Sequence, residues 1–214
     1  MNEPKLQVKE LCLGLVTRLR YIKRFSVAHV QHIEAVAEHS FYTAWYCLLI
    51  GNALQTTSMN ELPNMEVLLT KALIHDVDEA FSGDVIRMFH RDGGDLERLI
   101  HDRAGLMVRR FVSQVTNNNE SMELQFMHNW EKAKDKDTVE GCIVAYADFL
   151  SVLSYVVQEV DGGNRRLLDH LADIEEYAES FSSDHRFDFL WEVVEGHRSM
   201  VTWLKNELNT RRQG

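Results

Sequence analysis

Three helical runs in this chain are too apolar to lie on a protein surface, and each carries polar groups that an apolar interior cannot hold unpaired. In residues 37–54, Ala37, Phe41, Ala44, Trp45, Leu48 and Leu49 mark a main stripe, while Tyr42, Tyr46, Cys47 and Ile50 make the other faces apolar or aromatic too. This run is expected at the centre of the fold, with His39 near its start and away from the stripe. The second run, Val67, Leu68, Leu69, Ala72, Leu73 and Ile74, ends in a turn that carries His75, Asp76, Asp78, Glu79 and Asp84. The third, residues 138–160, includes Val139, Ile143, Val144, Tyr146, Phe149, Leu150, Leu153 and Val156, with Asp148 in its middle.

The rest of the chain reads as a frame around these runs. Leu11, Leu15 and Leu19 recur at helical spacing in residues 6–21, and Lys23, Arg24 and Phe25 lead into an irregular stretch, 26–35, with His29 and His32. Pro63 is placed to open the second apolar run. A short helical piece is expected over 85–89, a charged amphipathic helix over 95–115, and further helices over 122–134, 165–180 and 187–208. No stretch alternates as a strand would, so the chain is expected to be an all-α bundle and one domain, 1–214.

Composition narrows the partners. Lys and Arg number 23 against 33 Asp and Glu, a net charge of −10, which argues against a nucleic-acid polymer or an anionic membrane surface. Residues 1–10 lack an apolar signal core, and no run approaches the roughly 20 apolar residues of a membrane span, so a soluble cytoplasmic protein is expected. Cys12, Cys47 and Cys142 are odd in number and far apart, and read as reduced core thiols.

His39, His75, Asp76 and Asp148 are candidates for one metal site. Pairing them through a cation removes several desolvation problems together. Two imidazoles and two carboxylates suit one divalent transition metal, Co²⁺, Mn²⁺, Zn²⁺, Fe²⁺ or Ni²⁺, better than Mg²⁺. Taken singly, a core histidine is more often hydrogen-bonded than metal-bound, and an aspartate can cap a helix. His101-Asp102 repeats the dipeptide on a charged helix and is expected to be a solvated face. Trp130, Trp191 and Trp203 read as packing or subunit contacts.

With Ala37-Glu38-His39-Ser40, Leu73-Ile74-His75-Asp76, Glu79, Ser82-Gly83-Asp84 and Tyr146-Ala147-Asp148 in this order, the chain resembles the HD-domain phosphohydrolases. Within them it is most similar to the YfbR-like 5′-deoxynucleotidases and the related phage deoxynucleoside triphosphate triphosphohydrolases. The likeness spans roughly residues 15–176 and includes Arg24-Phe25 and the stretch 159–164. Where that family carries Arg-Trp, this chain has Arg24-Phe25, residues 64–70 and 91–96 match poorly, and the HD-GYP signature is absent.

The resemblance implies hydrolysis of a deoxynucleotide phosphate. Glu79 is the first candidate to orient or deprotonate the attacking water. Asp84 would help protonate the leaving oxygen or contact the sugar. Arg24 would grip phosphate, with Phe25 against base or sugar and His29 or His32 as further contacts. The expected activity is a 5′-deoxynucleotidase on deoxynucleoside monophosphates. The alternatives are a triphosphohydrolase releasing tripolyphosphate, for which Lys23, Arg24 and Arg87 supply cations, and a non-catalytic nucleotide-binding helical protein. Residues 185–208, with Phe181, Phe187, Phe189, Leu190, Trp191 and Trp203 near them, are expected to pack or to form a homodimer contact, as the family tends to dimerise.

Overall fold

The computed structural model describes residues 5–26, 28–84 and 94–213. The expected helical piece over 85–89, Arg87, and positions 91–93 lie outside the described residues. The α-helices are α1 (Val8–Leu13), α2 (Val36–Leu54), α3 (Met65–Ile74), α4 (Glu79–Ser82), α5 (Gly94–Val115), α6 (Glu120–Glu131), α7 (Val139–Asp161), α8 (Leu171–Ser182) and α9 (His197–Gln213), with 3₁₀ segments at Leu15–Arg20, Arg165–His170 and His185–Glu192. Among the described residues the only strand-like pairing is one isolated bridge between Lys23 and Ala35.

Helix α7 lies at the centre and packs against α2, α3 and the C-terminal elements. Its first turn is capped by Thr138, whose hydroxyl accepts the Gly141 N–H. Gly141 has a second job, because a Cβ there would collide with the Asp135 carbonyl. The missing side chain lets the turn after α6 press against the start of α7. By length and composition α7, at 23 residues, could cross a membrane, contrary to the sequence expectation, but 72% of its most apolar window is buried inside the protein. Its hydropathy is that of a core helix.

Several expectations need correction. The helix expected over 6–21 breaks at Gly14, where a Cβ would strike the Phe111 ring and the Glu10 carbonyl, and continues as a 3₁₀ segment. In α2 the stripe marked from sequence faces outward: Phe41, Trp45 and Leu49 are exposed, whereas His39, Thr43, Cys47, Ile50 and Leu54 are buried. An all-round apolar helix offers no polar face to orient it, so packing decides. In α3, Leu73 points out and Lys71 is buried, its Nζ 3.4 Å from Thr138 Oγ1. Cys12 is exposed rather than a core thiol. The apolar side chains near the C-terminus pack within the chain, one of the two roles expected of them: Phe181, Phe187 and Leu190 are fully buried, and Phe189, Trp191 and Trp203 pack on the same core.

Candidate metal centre

The buried face of α2, the end of α3 and the middle of α7 meet at one point. There, one ligand atom from each of His39, His75, Asp76 and Asp148 lies within 4.8 Å of the others. His39 Nε2 is 2.9 Å from Asp148 Oδ1 and 3.4 Å from Asp76 Oδ2. His75 Nε2 is 3.0 Å from Asp76 Oδ2 and 3.4 Å from His39 Nε2. The far nitrogens are occupied elsewhere: His75 Nδ1 donates to the Ala72 carbonyl at 2.7 Å, and His39 Nδ1 is 3.0 Å from Ser151 Oγ. The Ala72 bond fixes the His75 tautomer and leaves its Nε2 lone pair facing the cluster, and Ser151 turns His39 the same way. Two inward nitrogens and two inward carboxylate oxygens, almost fully removed from water, fit a divalent transition metal.

The charges around the cluster are tightly balanced. Burial alone would raise both aspartates, but His75 and Lys134 hold Asp76 well below the usual carboxylate range, and Lys134 with His39 does the same for Asp148. Burial and Arg24 depress His39, yet its hydrogen bonds to the two aspartates push it up overall. Lys134 Nζ lies 2.8 Å from Asp148 Oδ2 and 3.3 Å from Asp76 Oδ1, and although 38% of its side chain is exposed, its ammonium is partly desolvated against the cluster; the two carboxylates outweigh that cost and raise it.

Arg24 and Phe25 stand beside this cluster. Arg24 Nη1 pairs with the buried Glu34 at 3.1 Å, while its Nε is buried without a partner. Phe25 adopts a left-handed backbone, φ 53°, a conformation that costs on the order of 1–3 kcal/mol for such a residue. Its neighbours hold it there. Its N–H donates to Asp84 Oδ2 at 3.1 Å, and its ring stacks on Tyr155 at 4.8 Å and 10°. The loop beyond it is pinned to α7, because Glu159 accepts the Gln31 and His32 N–H groups and Asn164 binds both Glu159 and the His29 carbonyl. Neither His29 nor His32 is among the described residues lining the cavity next to the cluster.

That cavity has a volume of about 1120 Å³ and is walled by Arg24, Phe25, Glu79, Asp84, Lys134 and Tyr177, among others. Glu79 Oε2 is buried without a partner, and burial, reinforced by Asp76 and Asp84, pushes its carboxyl up to about 9. Burial also raises Asp84, against the pull of Arg24 and the Phe25 N–H. Two residues expected to be bystanders reach the wall. Trp130 packs in a hydrophobic cluster as expected and donates its indole N–H to Asp78 Oδ1 at 3.4 Å, and His101, exposed on its charged helix as expected, stacks on that indole at 4.9 Å; both also border the cavity.

A comparison with curated proteins finds no match. Among solved structures the chain is similar to an HD-domain phosphohydrolase from Listeria innocua (22% identity, TM-score 0.63, covering 95% of this chain and 99% of that one). It is equally similar in fold to a protein from Pyrococcus furiosus (20%, 0.62, 94% and 99%) and another from Pyrococcus horikoshii (18%, 0.63, 94% and 99%). Together these show a helical fold shared with those structures, carrying a His/Asp cluster that could hold a metal ion. The chain belongs to the 5′-deoxynucleotidase YfbR-like family, whose sequence profile matches residues 12–196.

Of the candidates singled out from sequence, His39, His75, Asp76 and Asp148 come together in the cluster and Arg24, Phe25, Glu79 and Asp84 stand on the cavity wall, whereas His29, His32 and Lys23 are not among the described residues lining it and Arg87 lies outside the described residues. Sequence reasoning missed Lys134, Ser151, Glu34 and Tyr155. Ser151 left a signal, since it stands three residues after Asp148 and so on the same face of α7. Lys134 left none, because a lysine in a polar turn looks like any surface lysine.

Proposed function

We propose that this chain is a divalent-metal-dependent 5′-deoxynucleotidase, converting deoxynucleoside monophosphates to deoxynucleoside and phosphate, with His39, His75, Asp76 and Asp148 as the metal ligands. One observation carries the reading. Beside those four converging side chains, a donor, Arg24 Nε, and an acceptor, Glu79 Oε2, are both buried without partners. Buried polar atoms are rarely left unpaired, so two on one cavity support a polar ligand between them.

A cation such as Co²⁺, Mn²⁺, Zn²⁺, Fe²⁺ or Ni²⁺ supplies Lewis-acid polarisation of the phosphoryl group and acidifies water. The residues do the rest. Arg24 binds a phosphate oxygen through its unpaired donor and is kept from rotating away by Glu34. Glu79, whose raised carboxyl would ionise once a cation offsets the Asp76 charge beside it, would take the proton of the water whose oxygen attacks phosphorus and pass it to O5′ as the P–O5′ bond breaks, so that the deoxynucleoside leaves as the hydroxyl. Asp84 holds the Phe25 backbone, placing that ring and Asp84 itself against the sugar. Tyr155 takes one face of Phe25, and the Arg24 guanidinium carbon lies 5.4 Å from the ring centroid, which ties the ring to the group that would grip phosphate.

The cavity volume of about 1120 Å³ exceeds the usual 300–1000 Å³ range of small-molecule sites, which favours a second reading, triphosphohydrolysis of deoxynucleoside triphosphates. Assays of dAMP and dATP with Co²⁺ or Mn²⁺ separate the two by product, phosphate or tripolyphosphate. Glu79→Ala is expected to bind nucleotide and turn over neither. Unaltered turnover in that variant removes Glu79 from the mechanism, and binding with no turnover in the wild type leaves a nucleotide-binding protein.

A further inference from the structure

The two aspartates of the cluster divide their oxygens in the same way. Asp76 turns Oδ2 to the imidazoles and Oδ1 to Lys134; Asp148 turns Oδ1 to His39 and Oδ2 to Lys134. We infer that Lys134 is a positioning residue that occupies the outer oxygen of both carboxylates, so that each offers the metal one oxygen and coordination sites stay open for water and phosphate. The inference rests on the ligand set proposed for this chain.

The count of donors shows why this matters. Two imidazoles and two single oxygens make four ligands, leaving one or two places on a five- or six-coordinate ion. Were both aspartates to bind through two oxygens, six donors would fill an octahedron and exclude the substrate. A carboxylate has lone pairs enough for either mode, so a third party must choose. An ammonium 2.8 Å and 3.3 Å from the outer oxygens does so. It also changes the charge: two aspartates and one lysine give −1, so a divalent ion leaves the centre at +1 and attractive to a phosphate ester.

Lys134 does not hang from a loose loop. Its turn is closed by the Thr138 N–H to the Asp135 carbonyl at 3.1 Å, the Asp137 N–H to Asp135 Oδ1 at 3.2 Å, and the Lys132–Asp135 ion pair at 3.1 Å. Ala133 beside it is buried, and Gly141 lets the turn press against α7, the helix that bears Asp148. The outer-oxygen cation is therefore anchored to the same helix as the ligand it restrains.

Mn²⁺ titrations of wild type, Lys134→Met and Lys134→Arg test this, read by dissociation constant and by the water-proton relaxation of bound Mn²⁺, which reports exchangeable water on the ion. Lys134→Met is expected to bind Mn²⁺ on the order of tenfold more tightly, because a competing cation is gone and two oxygens are freed, and to show lower relaxation per bound ion. Lys134→Arg, which keeps the charge, is expected to restore both values towards wild type. Unchanged relaxation in Lys134→Met, or weaker Mn²⁺ binding, overturns the inference, since a merely structural ion pair has no reason to alter water on the metal. If Lys134→Met melts early by circular dichroism, Lys134→Gln is read by the same two measures. Should wild type bind no Mn²⁺, or His75→Ala bind it equally well, the ligand set itself is wrong; that outcome is distinct from failure of the Lys134 role alone.

Discussion

Two histidines, His39 and His197, are both buried within this bundle, and the contrast between them separates a reactive centre from a structural joint. His197 Nδ1 meets the Tyr146 hydroxyl at 3.0 Å and its Nε2 meets Ser182 Oγ at 3.3 Å, inside a cage that includes Trp191 and Phe149. Both nitrogens have neutral partners, and burial, with Arg198 nearby, pushes its pKa down. His39 has one neutral partner, Ser151, and turns its other nitrogen to two carboxylates that push its pKa up. The same side chain at similar depth is thus complete in one place and left open to a cation in the other. Burial alone does not mark a site; what the second nitrogen faces does.

The contrast can be broken most forcefully at the ligands. His75→Ala is expected to abolish tight metal binding and hydrolysis, a loss beyond the roughly 10–100-fold that an outer partner is worth; calorimetric metal titration and phosphate release check it. At the joint, His197→Ala is expected to leave the metal affinity unchanged and to lower stability by about 1–3 kcal/mol, because the Tyr146 hydroxyl loses its buried partner. Urea denaturation measures that loss, and a fall in metal affinity would erase the distinction drawn here. Ser151→Ala is expected to cost about 10–100-fold in metal affinity with little change in melting temperature, since it frees the His39 ring to turn.

Acid and base sharpen the same comparison by smaller amounts. A histidine whose folded pKa lies below its unfolded value of 6.5 is protonated first in the unfolded chain, so His197 makes stability fall as pH drops through that value. Glu79 acts at the other end. Its carboxyl is raised from 4.5 to about 9, so its contribution to stability is complete below pH 4.5 and is lost as pH rises towards 9. In metal-free protein, thermal melts of His197→Ala should lose part of the acid slope and those of Glu79→Gln part of the alkaline one.

Much of this was legible before any coordinates. The apolar character of residues 37–54 and 138–160 identified two central helices, and charged groups stranded in such runs marked His39, His75, Asp76 and Asp148, because desolvation makes an unpaired ion in a greasy helix conspicuous. Orientation was not legible. Helix α2 is apolar on every side, so its composition could not say that Phe41, Trp45 and Leu49 face out while His39 and Cys47 face in. The aromatic side chains near the C-terminus likewise gave no sign of whether they would fill this core or meet another chain.

Local sequence determined which segments become helices and which of their residues need a partner, since propensity, periodicity and desolvation act over a few residues. Only the tertiary structure decided which partners those are. Lys134 reaches Asp76 across 58 positions, Phe25 leans on Asp84 across 59, and Glu159 holds the loop at His32 across 127. Contacts of that span depend on how whole helices pack, and side-chain packing in a dense core has no counterpart in the linear order of residues.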